Sequence, residues 1–411
     1  MGIFTLSSST SADPAMSIHI SPYLFISGCP VQGQVELDLR QLSEDNVQQV
    51  HIKLKGSAWT VQTVDTTVYI QDVPLVSEDI VLWTKDSAPE QGTVHLPFQF
   101  LLPPDLPPSF HDKKYKFADG GAIRYWLSAV GVRSGALHRN RRVRLPIAVV
   151  QRDIAGAGLR AKLSAMAQGA DCGWRVGSAE GKIRRGLWGD YATVKAELRI
   201  PDANICPLFV PIPFIIYIET TTPVLTRSKA EAQPSDKPVF PPPPSAYNML
   251  EFRLHRKYKS TAQTTTGTYH KNFKFEGAAM VIDEDVPERV WVPLDSESGN
   301  KKHHASSDGK GTWVQRATFK STFRLDCAHT FHTKTITCEY KLELNVPFPG
   351  VGNDLHINMP ITVTSGIDAP VLRDQLVDVG PGAGDSSSQN ILDLPPAYWD
   401  ADSGDWGDDK D

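Results

Sequence analysis

Near the C-terminus the chain reads Leu394-Pro395-Pro396-Ala397-Tyr398, a set of residue types and spacings suited to recognition rather than reaction. Two adjacent prolines hold the backbone in a polyproline II helix, so an aromatic-lined groove binds them at small entropic cost. In a groove of the WW type, Pro395 and Pro396 fill the aromatic slot and Tyr398 the neighbouring pocket, with Leu394 as a supporting apolar contact. With 31 prolines and 11 tyrosines in 411 residues, chance supplies only about 0.06 such motifs per chain. The competing reading is a proline-rich end that nothing reads. A second proline run, residues 241–247 (PPPPSAY), places two residues between proline and tyrosine and does not fit the pattern.

Two other clusters have chemical types worth testing. Arg139, Arg141, Arg142 and Arg144 suit acidic peptide tails or anionic lipid headgroups, and suit equally a solvated strand edge, the commoner use of cations there. His303, His304, His329 and His332, with Cys327 and Cys338, lack the spacing of a zinc site, so no metal is expected. The chain carries no nucleophile elbow, phosphate loop, dinucleotide fingerprint or readable pair of carboxylates. The expectation is a protein that is not an enzyme and needs no cofactor.

These groups need elements to position them, and the polar–apolar pattern supplies mainly strands. Val35, Leu37 and Leu39 alternate with Glu36, Asp38 and Arg40, and Val50, Ile52 and Leu54 alternate with His51, Lys53 and Lys55. A period of two with one polar face marks half-buried antiparallel strands. Residues 66–73, 94–102, 123–132 and 143–150 add similar runs separated by Gly, Pro, Asp and Ser, which together predict a sandwich. Residues 155–169 break the pattern with Leu159, Leu163 and Met166 at helical spacing, predicting a short helix or hinge. Alternation resumes at Val194 to Ile200 and is clearest from Ile336 to Val346, predicting a second sandwich in which Cys327, His329 and Cys338 fall in strands. Residues 222–246 and 295–311 read as mobile surface loops, and the periodicity ends near Asp368.

Composition separates the tail from the body. Residues 371–411 hold ten acidic residues against Arg373 and Lys410, a balance of −8, whereas the whole chain is at −5. The body is therefore near +3 and able to compact, while the tail repels itself and is expected to be disordered. That balance argues against a nucleic-acid partner. Five cysteines without disulfide-type spacing, no signal-like N-terminus and no run long enough to span a bilayer point to a cytoplasmic protein.

Residues 95–110 (HLPFQFLLPPDLPPSF), followed by residues 120–133 (GGAIRYWLSAVGVR), resemble the N-terminal domain of the arrestin fold. There an apolar strand, a proline-laden turn ending in Pro-Ser-Phe and an Ile-Arg-Tyr strand occur in that order. Residues 335–346 and 355–366 resemble the last strands of the arrestin C-terminal domain. The resemblance implies an all-β chain of two immunoglobulin-like antiparallel sandwiches, divided into an N-terminus at 1–15 without order, an N-domain at 16–152, a hinge or helix at 153–170, a C-domain at 171–370 and the acidic tail at 371–411.

With the Pro-Pro-x-Tyr motif, the chain looks like an alpha-arrestin, the class of arrestin-related trafficking adaptors. The class implies partners: a WW-domain ubiquitin ligase of the HECT type, and the cytoplasmic tails of membrane transporters or receptors destined for endocytosis. It also implies peripheral recruitment to the plasma membrane or endosomes, and Lys301, Lys302 and Lys310 are then candidate ubiquitin acceptors. An arrestin-fold coat or sorting component that makes no use of the tail is the alternative. An extracellular sugar-binding sandwich is opposed by the N-terminus and the cysteines.

Overall fold

The computed structural model describes residues 13–20, 24–87, 92–112, 119–135, 139–166, 173–186, 189–233, 239–275, 283–284, 288–294 and 309–368. The first half contains β1 (Met16–Ile20), β2 (Leu24–Ile26), β3 (Pro30–Asp38), α1 (Leu39–Glu44), β4 (Val47–Val64), β5 (Thr67–Thr84), β6 (Thr93–Leu101), β7 (Phe110–His111), β8 (Gly120–Arg133) and β9 (Arg141–Val150), followed by α2 (Ile154–Met166). Alternating side chains give each strand one apolar face. The sheet β1-β3-β6 therefore packs its Val35, Leu37 and Phe100 onto Ile52, Leu54, Leu127 and Ile147 of the sheet β2-β9-β8-β4-β5.

The second half contains β10 (Trp174–Arg184), β11 (Tyr191–Pro201), β12 (Ile205–Pro207), β13 (Ile212–Thr221), β14 (Leu225–Thr226), α3 (Arg227–Glu231), β15 (Glu251–Ala262), β16 (Thr265–Lys274), β17 (Asp283–Glu284), β18 (Glu288–Pro293), β19 (Lys310–Phe323), β20 (Phe331–His332), β21 (Ile336–Val346) and β22 (Leu355–Thr364). One sheet runs β10-β11-β13-β19 with β14, β17 and β18 at its far side, and the other runs β12-β22-β21-β15-β16. Phe214, Phe252 and Phe323 meet between them, with ring centroids 4.9–6.2 Å apart. Pairing is antiparallel throughout except for β2 on β9 and β12 on β22, two short parallel additions at sheet edges.

The proline-laden turn owes its place to three consecutive kinds of contact. Tyr125 on β8 donates its hydroxyl to Pro107 O at 2.8 Å. Ser109 exchanges two bonds with Val149, its amide donating to the carbonyl at 2.8 Å and its Oγ accepting from the Val149 amide at 3.0 Å. Phe110 then starts β7 opposite Ile123. Prolines leave no amide hydrogens to satisfy, so three carbonyl and hydroxyl contacts suffice to bury the turn. The Tyr125 ring lies over Gly56, where a Cβ would sit 2.4 Å from its Cδ1. Tyr125→Phe is expected to cost about 1–2 kcal/mol by orphaning a buried carbonyl, measured by urea denaturation.

Four expectations change. Leu39 and Arg40 do not continue a strand, because the Asp38 carboxylate accepts from the Gln41 amide at 3.2 Å and caps α1. Residues 13–15 are ordered: Ala15 is buried, and Asp13 pairs with Arg141. Residues 222–233 and 239–246, within the expected mobile loop, are packed rather than free. Gln315 of β19 donates to Val239 O at 2.7 Å and Pro241 O at 3.1 Å and accepts from the Val239 amide at 2.8 Å, which clasps the proline run. Cys327 and His329 lie in a buried connection rather than in strands, and Cys338 alone of the three lies in one, β21. Residues 295–308 of the other expected loop, and residues 371–411, lie outside the described residues.

Candidate functional site

Leu394, Pro395, Pro396 and Tyr398 lie outside the described residues. The four clustered arginines are described, and the strand splits them. Arg141 faces inward at the rim, paired with Asp13 and with Asp45, which also holds Arg133. Arg142 and Arg144 occupy the opposite face of β9, and Arg139 is exposed ahead of the strand. Alternation alone accounts for the division, since neighbouring residues of a strand point to opposite faces.

Register places partners for Arg142 and Arg144 across the outer face of the N-terminal sheet. Arg144 is opposite Ser128, Ser128 is opposite Lys53, and Lys53 is opposite Asp79, to which its Nζ comes within 3.4 Å. The next rows carry Trp126 beside Lys55 and Arg124 beside Ser57. Arg144 lies 6.0 Å from the Trp126 ring and Arg124 lies 5.8 Å from the Trp59 ring, both within cation–π range. The face thus joins Lys53, Lys55, Arg124, Arg142 and Arg144 with two tryptophans, against Asp72 and Asp79 on β5.

The second cluster sits where the two sandwiches meet, and sequence reasoning did not single it out. Arg256 of β15 is 3% exposed, and its Nη2 lies 2.6 Å from Asp112 Oδ1 in the segment after β7. Its guanidinium is 5.3–5.5 Å from the rings of Phe110, Tyr258 and Phe273. Phe110 from the first half also meets Tyr258 and Phe331 of the second edge-on, with centroids 5.4 and 5.3 Å apart. The geometry at Arg256 is a charge contact in which neither Nε nor Nη2 makes a hydrogen bond, so ring stacking carries much of the packing. The available signal was a cation at an inward position, since Phe252, Leu254, Arg256 and Tyr258 share the buried face of β15.

Around this pair the halves are stitched by ordinary hydrogen bonds. Thr60 Oγ1 donates to Thr261 O and Ser260 Oγ to Gly120 O, each at 2.8 Å, and Tyr269 donates to Gln62 Oε1 at 2.9 Å. His329 Nε2 accepts from the Gln151 amide at 3.2 Å. Burial pushes that imidazole down to about 4. Burial also pushes the Cys327 thiol up to about 12 and the Cys338 thiol to about 11. Protonated thiols and a committed imidazole lone pair are poor metal ligands. Among the described residues no group of three or more His, Cys, Asp or Glu is arranged around a metal position, and His303 and His304 lie outside them.

Among the described residues no helix is long and apolar enough to cross a membrane. No curated protein matches the chain. Residues 16–152 match the family model described as the arrestin (or S-antigen) N-terminal domain, and that match spans the first sandwich with its proline turn and its Tyr125 strand. An arrestin domain indicates an adaptor or trafficking role in general, of a kind that works by binding rather than by catalysis. Two packed β-sandwiches, the first of them matching the arrestin N-terminal domain, make this chain an arrestin-like protein.

Proposed function

We propose that this chain is an alpha-arrestin: an adaptor that brings a WW-domain ubiquitin ligase of the HECT type to membrane-protein cargo for ubiquitination and endocytosis. The observation that carries the reading is the Pro395-Pro396-Ala397-Tyr398 sequence, placed beyond the last strand of an arrestin-like body. The adaptor works at the cytoplasmic side of the plasma membrane or of endosomes. The sandwiches would recognise cargo, with Arg139, Arg142 and Arg144 as candidate contacts for acidic cytoplasmic tails or anionic headgroups, while Arg141 turns inward to Asp13 and Asp45.

Function then comes from proximity. Holding ligase and cargo on one chain raises the concentration of one at the other, so a weak motif contact is sufficient. The test is retention of the full chain on immobilised WW domains. Tyr398→Ala, which empties the second pocket, should weaken retention about tenfold or more, a loss of roughly 1.4 kcal/mol or greater. Equal retention of both proteins refutes ligase recruitment through this motif. Unchanged cargo traffic after deletion of residues 371–411 favours the coat-component alternative.

A further inference from the structure

An open sheet edge is a row of unpaired amides and carbonyls, and proteins guard such edges with proline, bulges, short strands or lysines. Most of the free edges here are guarded in one of these ways. β5 carries Pro74 and two register shifts against β4, β6 carries Pro97, and β1 has only five residues. β16 carries Lys271 and Lys274 and no acidic residue. β10 differs from all of these. It has one hydrogen-bonded neighbour, β11, and its eleven residues hold that register without a bulge or a proline.

The two faces of β10 are unlike. Val176, Ser178, Glu180, Lys182 and Arg184 are exposed. Gly177 and Gly181 lie against β22, where a Cβ would come within 2.8 Å of Met359 Cε and 3.0 Å of Leu355 Cδ2 respectively. The strand is therefore seated by its inner face, while every second residue turns its amide and carbonyl away from β11. Its exposed charges are also left over. Glu180 stands opposite Lys195 of β11, but the Lys195 ammonium lies 2.6 Å from Glu197 Oε1. Lys182 stands opposite Thr193. Among the described residues neither Glu180 nor Lys182 has an ion-pair partner.

An anion followed two and four residues later by cations, all on one face, is complementary to its own antiparallel copy. A twofold axis at Gly181 sets Glu180 opposite the partner's Lys182 and Lys182 opposite the partner's Glu180, with Arg184 on the diagonal from the partner's Glu180. An axis at Glu180 or at Lys182 would oppose like charges, and one at Ala179 would set Lys182 against Val176. Charge thus selects both the occupant of the edge and its register. We propose that β10 pairs antiparallel with β10 of a second copy of this chain about a twofold axis at Gly181, so that the sheet β10-β11-β13-β19 continues from one copy into the other. The dimer carries two copies of the Pro-Pro-x-Tyr sequence, which multiplies weak contacts with an array of WW domains; that consequence, unlike the pairing, rests on the function proposed above.

One strand edge buries little surface, so the dissociation constant is expected on the order of 10–100 μM. Sedimentation velocity of the full chain, at concentrations spanning that range, should show monomer and dimer in exchange. Glu180→Lys sets cation against cation across the axis, and Lys182→Glu sets anion against anion. Each should weaken the dimer about tenfold. An equimolar mixture of the two variants should recover the wild-type dissociation constant to within about threefold, because both pairs re-form with their signs exchanged. A variant that failed to fold could not produce that recovery. A wild-type chain that stays monomeric throughout, a dimer that neither substitution weakens, or a mixture that does not recover overturns the proposal.

Discussion

Asp112→Ala is expected to lower unfolding free energy by about 3–5 kcal/mol, because it leaves the Arg256 guanidinium buried without its anion. Arg256 cannot shed its proton, and at 3% exposure it cannot recover water without opening the junction between the sandwiches. The reverse substitution differs in size. Arg256→Met keeps a long side chain among Phe110, Tyr258 and Phe273 and leaves an Asp112 side chain 23% exposed and able to hydrate. Its cost should be about 1–2 kcal/mol. Urea midpoints for the two variants, with unchanged slopes, check the ordering. Equal losses from both substitutions would show that packing, not the charge, holds the junction. The asymmetry follows from where each charge sits, and the pair as a whole is a specificity device more than a source of net stability.

Acidification is the second large expected effect. His329 is 2% exposed, its Nδ1–H donates to Thr330 O at 3.2 Å, and its Nε2 takes the Gln151 amide hydrogen. Loss of solvation holds its folded value at about 4, well below the usual 6.5. The unfolded chain therefore binds a proton at this residue below about pH 6.5 while the folded chain does not. Stability is fully present above that value and falls as pH drops, by about 2 kcal/mol between pH 7 and 5, and by about 3 kcal/mol in all as the folded value is approached. Protonation also replaces the acceptor of the Gln151 bond with a donor, so the inter-sandwich contact loosens with it. His329→Gln retains an acceptor and removes the titration. It should flatten the pH dependence of the urea midpoint between pH 7 and 5, and an unchanged slope rules His329 out as its source.

Several of these residues were readable in advance and others were not, for physical reasons that particular positions show. The strands of the second sandwich declared themselves because Ile336, Cys338, Tyr340, Leu342, Leu344 and Val346 all point inward from β21. The cap on α1 was present as Asp38 three residues before Gln41, but an alternating run over Val35 to Leu39 concealed it. A local polar signal at the end of a strand competes poorly with a strong period of two. The proline run at 241–244 has the composition of a loop, and what packs it is Gln315, some 70 residues later on β19.

By itself the sequence determined the β character, through its alternation, and the spacing of Pro395, Pro396 and Tyr398, through covalent order alone. It determined the segregation of charge, a balance of −8 over residues 371–411 in a chain whose net charge is −5. Only the tertiary structure decided that Arg141 turns inward to Asp13 and Asp45 while Arg142 and Arg144 join Lys53 around Ser128. It alone paired Arg256 with Asp112, 144 positions apart, and set His329 against Gln151. Strand period says which face a side chain takes. Which distant residue shares that face depends on register between strands and on the packing of one sandwich against the other, and neither is written in any local run of residues.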